Sequence, residues 1–302
     1  MPADSADVRA GNPENAGATV DELGAHVSVA GGVQTAPERA AEIDSVVLQL
    51  FTKQPNRWAE PKLDEDRVAA FLENRAKYGI RAVASHDSYL INLAAPDPEL
   101  FQKSYASFRE ELRRCVALEL EYLVTHPGNA TDGDAERGRT QNADAIARAL
   151  AEVPGRTMVL LETTAGAGRV LGSRFEELAE MIERIPQDLR DRVGVCVDTC
   201  HVWAAGYDLA GDYDGVMAEI DRRVGLDRVR LFHLNDSVGG LGSHRDRHAD
   251  IGTGTLGDEP FRRLVNDPRF RDVPKVLETP KGDDPAAADR KNLARLRGYR
   301  AG

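Results

Sequence analysis

Eight short apolar runs recur along this 302-residue chain, and the later ones keep a nearly constant pitch. They cover residues 23–29, 45–51, 80–85, 122–125, 157–161, 193–197, 229–232 and 273–277. Runs of four to eight apolar residues are what buried strands look like in sequence. Between them, at 64–78, 98–120, 137–152, 174–185, 213–224, 259–266 and 284–299, apolar residues return at helical spacing. Phe175, Leu178, Ala179 and Ile182, for example, line one face of a helix. Strands alternating with helices in this way predict an α/β fold, a single (β/α)8 TIM barrel whose parallel strands all end on one rim. A length of 302 residues is ordinary for such a barrel, and no linker or composition break marks a second domain. The barrel is expected over 23–302, preceded by a flexible acidic N-terminal tail over 1–22.

The ends of the eight runs carry His26, Phe51, His86, His126, Glu162, Asp198, His233 and Glu278. From His86 onward the steps between them are 40, 36, 36, 35 and 45 residues. Barrel enzymes place their chemistry on the C-terminal rim, so six of these residues converge where a site is expected. His201 stands three residues past Asp198, on the turn leaving the sixth strand. Asp246-Arg247-His248 adds an alternating pair, and an extended segment there would point both side chains to one side. Taken singly, each has an ordinary reading. A strand-end histidine is a satisfied structural group, a strand-end acid is an N-cap or ion-pair partner, and 246–248 is a solvated loop. Taken together, these readings leave five imidazoles and four carboxylates on one rim, and charges buried without partners or metal are costly. Imidazole and carboxylate ligands without a thiolate pair suit zinc or a similar divalent ion. His244, two residues before Asp246, is expected to be exposed.

Composition adds exclusions. No apolar run reaches the 18 residues of a membrane span, and the first 22 residues lack the apolar core of a secretory signal. Cys115, Cys196 and Cys200 form no CxxC pair and no even framework. They read as small buried residues of a protein in a reducing cytoplasm. A net charge of −11 argues on its face against a nucleic-acid partner.

Longer stretches carry a resemblance. GAHVSVAGG (24–32), LFTK (50–53), SHDSYLINL (85–93), THPG (125–128), LETTAGAG (161–168), GVCVDTCHVWAAGYDL (194–209), FHLNDS (232–237), DRHADIGTGTLG (246–257) and LETP (277–280) occur in this order. Through them the chain resembles the zinc-dependent apurinic/apyrimidinic endonucleases of the endonuclease IV type across nearly all of 23–299. The resemblance implies a rim with three zinc ions. His86, His126 and Glu162 would hold the first. Glu162 would bridge to a second held also by Asp198, His233 and Glu278, and His201, Asp246 and His248 would hold a third. It further implies metal-assisted hydrolysis of duplex DNA on the 5′ side of an abasic sugar, leaving a 3′-hydroxyl and a 5′-deoxyribose phosphate. Glu162 and Glu278 would be the catalytic carboxylates, Glu278 also as a proton acceptor. Three divalent ions would bring the net charge to about −5, with the gain concentrated on one face.

Tyr89 matches the family's aromatic that fills the gap in the base stack. The loop 54–57, Gln-Pro-Asn-Arg, departs from the family: Asn56 stands where an arginine wedge is usual, and Arg57 follows it. Arg57 and Lys53 are expected to contact DNA, as is Trp58 on the same loop. His26 either bonds a metal ligand or is purely structural. IGTGTLG (251–257) either offers amides to phosphate or is a turn. Monomeric action in the cytoplasm, without a membrane, is expected. A metal-dependent sugar isomerase or epimerase of the same barrel type is the other reading, and it would need neither the cluster His201, Asp246 and His248 nor the Tyr89 loop.

Overall fold

The computed structural model describes residues 22–300. Among them, eight parallel strands close into one barrel, as the alternation of runs predicts. These are β1 (Leu23–His26), β2 (Val47–Leu50), β3 (Ala82–His86), β4 (Tyr122–Thr125), β5 (Met158–Glu162), β6 (Val193–Asp198), β7 (Val229–Leu234) and β10 (Lys275–Leu277). Between β7 and β10, β8 (Asp236–Ser237) pairs antiparallel with β9 (His248–Ala249). The helices are α1 (Ala36–Glu42), α2 (Glu65–Lys77), α3 (Pro98–Ala117), α4 (Ala135–Glu152), α5 (Phe175–Arg184), α6 (Thr199–Ala205), α7 (Tyr213–Arg223), α8 (Glu259–Asn266) and α9 (Pro285–Gly298). Sequence periodicity did not reveal α1 or α6. Each has seven residues, less than two turns, too few to write a 3.6-residue period.

Aspartates start most of the helices. Asp64, Asp97, Asp134, Asp212 and Asp284 each accept the backbone N–H three residues on, satisfying a donor that the first turn leaves unpaired. No helix among the described residues is long and apolar enough to cross a membrane. The tail expected over 1–22 lies outside the described residues except for Glu22. Glu22 is buried, with its carboxylate 2.8 Å from Arg81 Nη1 and its carbonyl accepting the Lys275 N–H at 2.7 Å.

Strand alternation sorts the side chains into two sets. Outward residues such as Leu48, Leu50, Val83, Leu123, Leu161, Val195 and Phe232 join the helices in the main core. Inside the barrel, Ala84, Val124, Leu160, Cys196, Leu231 and Val276 form a separate, fully buried apolar layer. The residues two further along each of those strands face the same way. They are His86, His126, Glu162, Asp198, His233 and Glu278, and the two remaining strands contribute His26 and Gln49 at the same height, paired in register. The barrel therefore stacks a polar layer directly upon an apolar floor that excludes water from below.

Candidate metal centre

Glu162 sits at the middle of the polar layer, 1 % exposed, with four imidazoles around its carboxylate. Oε2 lies 3.1 Å from His86 Nε2 and 3.3 Å from His126 Nε2. Oε1 lies 3.1 Å from His233 Nδ1 and 3.2 Å from His201 Nδ1. Glu278 Oε2 approaches His233 Nδ1 to 3.2 Å, and Asp198 Oδ2 stands 3.7 Å from His248 Nε2. Asp246 Oδ1 lies 3.2 Å from both His201 Nε2 and His248 Nε2. All nine residues singled out in the sequence thus meet at one place.

Their ligand atoms gather into groups whose members lie within 4.8 Å of one another. His86, His126 and Glu162 form one, Glu162, Asp198, His233 and Glu278 a second, and His201, Asp246 and His248 a third. Asp198, Cys200 and His248 also come within that distance. Burial pushes the Cys200 thiol up to about 12, so it stands there as a neutral, buried group.

Local structure explains the aim of each ligand. Asp198 is the N-cap of α6: its Oδ1 accepts the His201 N–H at 2.8 Å, while Oδ2 accepts from Asn235 Nδ2 at 2.6 Å. The cap reading and the ligand reading therefore hold together at this residue. The β8–β9 pairing sets His248, and the cluster receives Asp246 from the exposed segment just before it. Outer hydrogen bonds fix the rings. His86 Nδ1 bonds the Asp87 carbonyl at 2.9 Å, His201 Nδ1 the Thr163 carbonyl at 2.8 Å, and His248 Nδ1 the Glu278 carbonyl at 3.2 Å. A carbonyl only accepts, so each of these Nδ1 atoms carries a hydrogen and Nε2 is the nitrogen turned to the cluster, free to exchange a proton for a cation.

Two observations fit the site to cations. The Nε2 atoms of His201 and His248 are buried and make no hydrogen bond, although Asp246 is near; a buried lone pair without a donor is what a metal ligand leaves behind. The charge balance points the same way. Burial alone would raise the Glu162 carboxyl, but His233 and His126 hold it well below the usual range. Burial likewise lowers an imidazole, yet Glu162, Asp87 and Glu278 push His86 up to about 10, and Asp198 and Asp246 bring His248 to about 9. Left to itself, the cluster compensates its carboxylates with protons on its histidines.

The cluster floors a cavity of about 550 Å³ walled also by Phe51, Tyr89 and Arg247. Tyr89 is 62 % exposed at its mouth, its ring 5.4 Å from Phe51 edge-on. The Ser88 hydroxyl donates to the Pro55 carbonyl at 2.6 Å, which ties the Tyr89 loop to the loop bearing exposed Asn56 and Arg57.

Lys53 corrects an expectation. Instead of reaching DNA, its ammonium is buried, bound to Glu60 at 2.5 Å and to the Ser107 hydroxyl at 2.7 Å. Arg114 completes this network from α3, with Nη1 2.7 Å from Glu60, Nε 2.9 Å from Thr52 and Nη2 3.0 Å from Glu111. The charges at 52–60 therefore anchor the loop to α3. Arg114→Met should cost about 3–5 kcal/mol, because it leaves Glu111 buried and unpaired. Urea unfolding measures this, and a loss below about 1 kcal/mol would show that the network is not a structural anchor. Trp58 packs against the Lys103 ammonium, 4.6 Å from its ring centre.

The remaining stretches resolve simply. In 251–257, the Gly254 and Leu256 amides donate to Asp236, so the segment is a turn folded around that carboxylate, and a Cβ at Gly254 would collide with the Ser237 carbonyl. Gly166 and Gly168 take positive φ and shape the turn after β5. His244 is exposed. His26 bonds Gln49 at 3.0 Å and lies 3.7 Å from Glu278 Oε1. Sequence reasoning missed Gln49, which also bonds Glu278 and His233. Its signal was a single amide inside the apolar run Val46–Phe51, at even spacing from Val47.

A family model described as xylose isomerase-like TIM barrel matches residues 37–299. A probable endonuclease 4 of Chloroflexus aggregans is 53% identical over 278 residues, covering 91% of this chain and 96% of that protein. Another, of Geobacter sulfurreducens, is 50% identical over 267 residues, covering 87% and 90%. The crystal structure of endonuclease IV from Thermus thermophilus matches with a TM-score of 0.82 at 42% identity, covering 92% of this chain and 98% of that one.

Proposed function

The chain belongs to the endonuclease IV type within the xylose isomerase-like TIM barrel family, and on that premise we propose that its rim cluster holds three zinc ions and cuts duplex DNA 5′ to abasic sites. It is a DNA-cleaving hydrolase of DNA repair. The observation that carries the fuller reading is the sharing of Glu162 between two of the ligand groups, with a third group alongside. A sugar isomerase or epimerase has no need of that third group. His86, His126 and Glu162 would hold one ion, Glu162, Asp198, His233 and Glu278 the next, and His201, Asp246 and His248 the last. When bound, such ions supply Lewis-acid polarisation of a phosphate and a water acidic enough to react near neutral pH.

The chain's own residues do the rest. Glu162 and Glu278 stay ionised: burial opposes it, but imidazole charge, His233 foremost for both, holds each carboxyl well below its usual range. Of Glu162, Asp198 and Glu278, only Glu278 keeps its side chain partly open, at 18 %, and it is assigned the proton of the attacking water. The apolar layer beneath keeps bulk water from entering except through the mouth. Attack of water on phosphorus breaks the P–O3′ bond; the proton passed to Glu278 offsets the one the departing oxygen takes up, so the products are a 3′-hydroxyl and a 5′-deoxyribose phosphate. The net charge of −11 would be overcome locally, since the rim ligands would hold cations toward the phosphates. One copy of the chain contains every residue the reading requires, and action as a monomer in the cytoplasm is part of the proposal.

Tyr89 and Arg57 are proposed to enter the duplex where the base is missing. An exposed aromatic beside the cavity has a face on which the neighbouring base can stack. Tyr89→Ala should weaken binding to an abasic duplex by roughly 10- to 100-fold, the equivalent of about 1–3 kcal/mol of stacking, and leave the metal content intact. Fluorescence anisotropy with an abasic-site duplex measures this, and unchanged binding removes Tyr89 from the interface.

A further inference from the structure

We propose that Gln49 is a positioning residue that sets the tautomer of His233 and the orientation of Glu278, and so governs occupancy of the cation position these two share with Glu162 and Asp198. This rests on the metal reading given above. Gln49 is fully buried on β2, and its amide meets three groups at once. Nε2 lies 2.6 Å from Glu278 Oε1 and 3.0 Å from His26 Nδ1, while Oε1 lies 2.8 Å from His233 Nε2.

The chemistry of the partners fixes which way the amide points. An ionised carboxylate only accepts, so the NH₂ group must face Glu278. Its second hydrogen then goes to His26 Nδ1, which must be the acceptor. The amide oxygen is left facing His233, and a carbonyl there requires a hydrogen on Nε2. His233 Nε2 is thereby committed to its hydrogen, which leaves Nδ1, 3.1 Å from Glu162 and 3.2 Å from Glu278, as the nitrogen available to a cation in place of a proton. The same amide occupies Glu278 Oε1 and leaves Oε2 directed into the cluster.

This arrangement differs from those at the other rings. His86, His201 and His248 each place Nδ1 on a backbone carbonyl and present Nε2. His233 presents the opposite nitrogen, and its outer partner is a side chain. The orientation of this one ligand is therefore under the control of a residue that substitution can change.

The test compares the full-length zinc-loaded protein with Gln49→Met, which keeps the length and removes every hydrogen bond, and with Gln49→Glu, which keeps an acceptor opposite His233. Competition with a graded series of chelators reads zinc affinity. Long-range ¹H–¹⁵N correlation reads the imidazole tautomers. Gln49→Met should lose one zinc per chain about 10- to 100-fold more readily than the parent, with the other two unchanged. It should also lose the Nε2–H signature of His233, which Gln49→Glu retains. If the parent holds three zinc ions and Gln49→Met matches it in affinity and tautomer, the assignment of Gln49 is wrong and the metal reading stands. If the parent holds no zinc, the metal reading fails and this inference goes with it.

Discussion

Glu162→Gln should reduce turnover on an abasic-site duplex by roughly 10³-fold or more while the protein stays folded. The reason lies in the contacts of one carboxylate. Glu162 faces His86, His126, His201 and His233 at 3.1–3.3 Å, and each of these approaches the carboxylate through a ring nitrogen. Glutamine fills the same volume, so the apolar layer of Ala84, Val124, Leu160, Cys196, Leu231 and Val276 below it has no reason to rearrange. What changes is the charge and one oxygen. The amide brings an NH₂ group into a ring of ligand atoms and removes the negative charge that two cation positions share. Loss of several kcal/mol of charge stabilisation is expected at such a site, and about 4 kcal/mol corresponds to a 10³-fold lower rate. Glu278→Gln should act in the same direction. Single-turnover cleavage measures both, and near-normal rates in either variant would contradict the metal-assisted mechanism.

Removing the cations should destabilise the fold and make its stability depend on pH in a new way. A ligand present at 1,000 times its dissociation constant stabilises the folded state by about 4 kcal/mol. For a chain of this size each such ion is worth roughly 6 °C in melting temperature. In the stripped protein the carboxylates are compensated by protons on His86 and His248, raised to about 10 and about 9 by their acidic neighbours against burial. A histidine whose value is raised in the folded state contributes its full stability below its unfolded value of about 6.5 and loses it as pH climbs through the folded value. The stripped protein should therefore lose stability between about pH 7 and pH 10, while the loaded protein keeps it. Melting curves across that window distinguish the two forms, and identical profiles would mean that no cation compensates the cluster.

Much of this site was legible in the sequence because barrel topology converts position along the chain into position in space. His86, Glu162 and Asp198 end strands, His233 stands one residue before the end of β7, His126 and Glu278 follow theirs directly, and all stand two residues beyond an inward apolar side chain, so alternation alone aims them at one point. Gln49 obeys the same rule, two residues beyond inward Val47, but it lies inside an apolar run and is neither an imidazole nor a carboxylate, so nothing marked it as part of the site. Lys53 was misjudged for a different reason. A lysine near a loop suggests solvent, whereas its partners Glu60, Ser107 and Arg114 come together only through the packing of α3 beneath the loop. The short helices α1 and α6 left no period to read, although Asp198, which caps α6, was already conspicuous as a ligand.

The central claim is that the rim cluster cleaves abasic DNA through bound zinc, and one measurement addresses it most directly. The purified protein is assayed by elemental analysis for zinc and then given an abasic-site duplex before and after exhaustive chelation, with zinc restored at the end. Three zinc ions per chain are expected, with cleavage on the 5′ side of the lesion that disappears on chelation and returns with zinc. Cleavage that persists in the metal-free protein, or a preparation that holds one or two labile manganese ions and leaves the duplex intact, would contradict it.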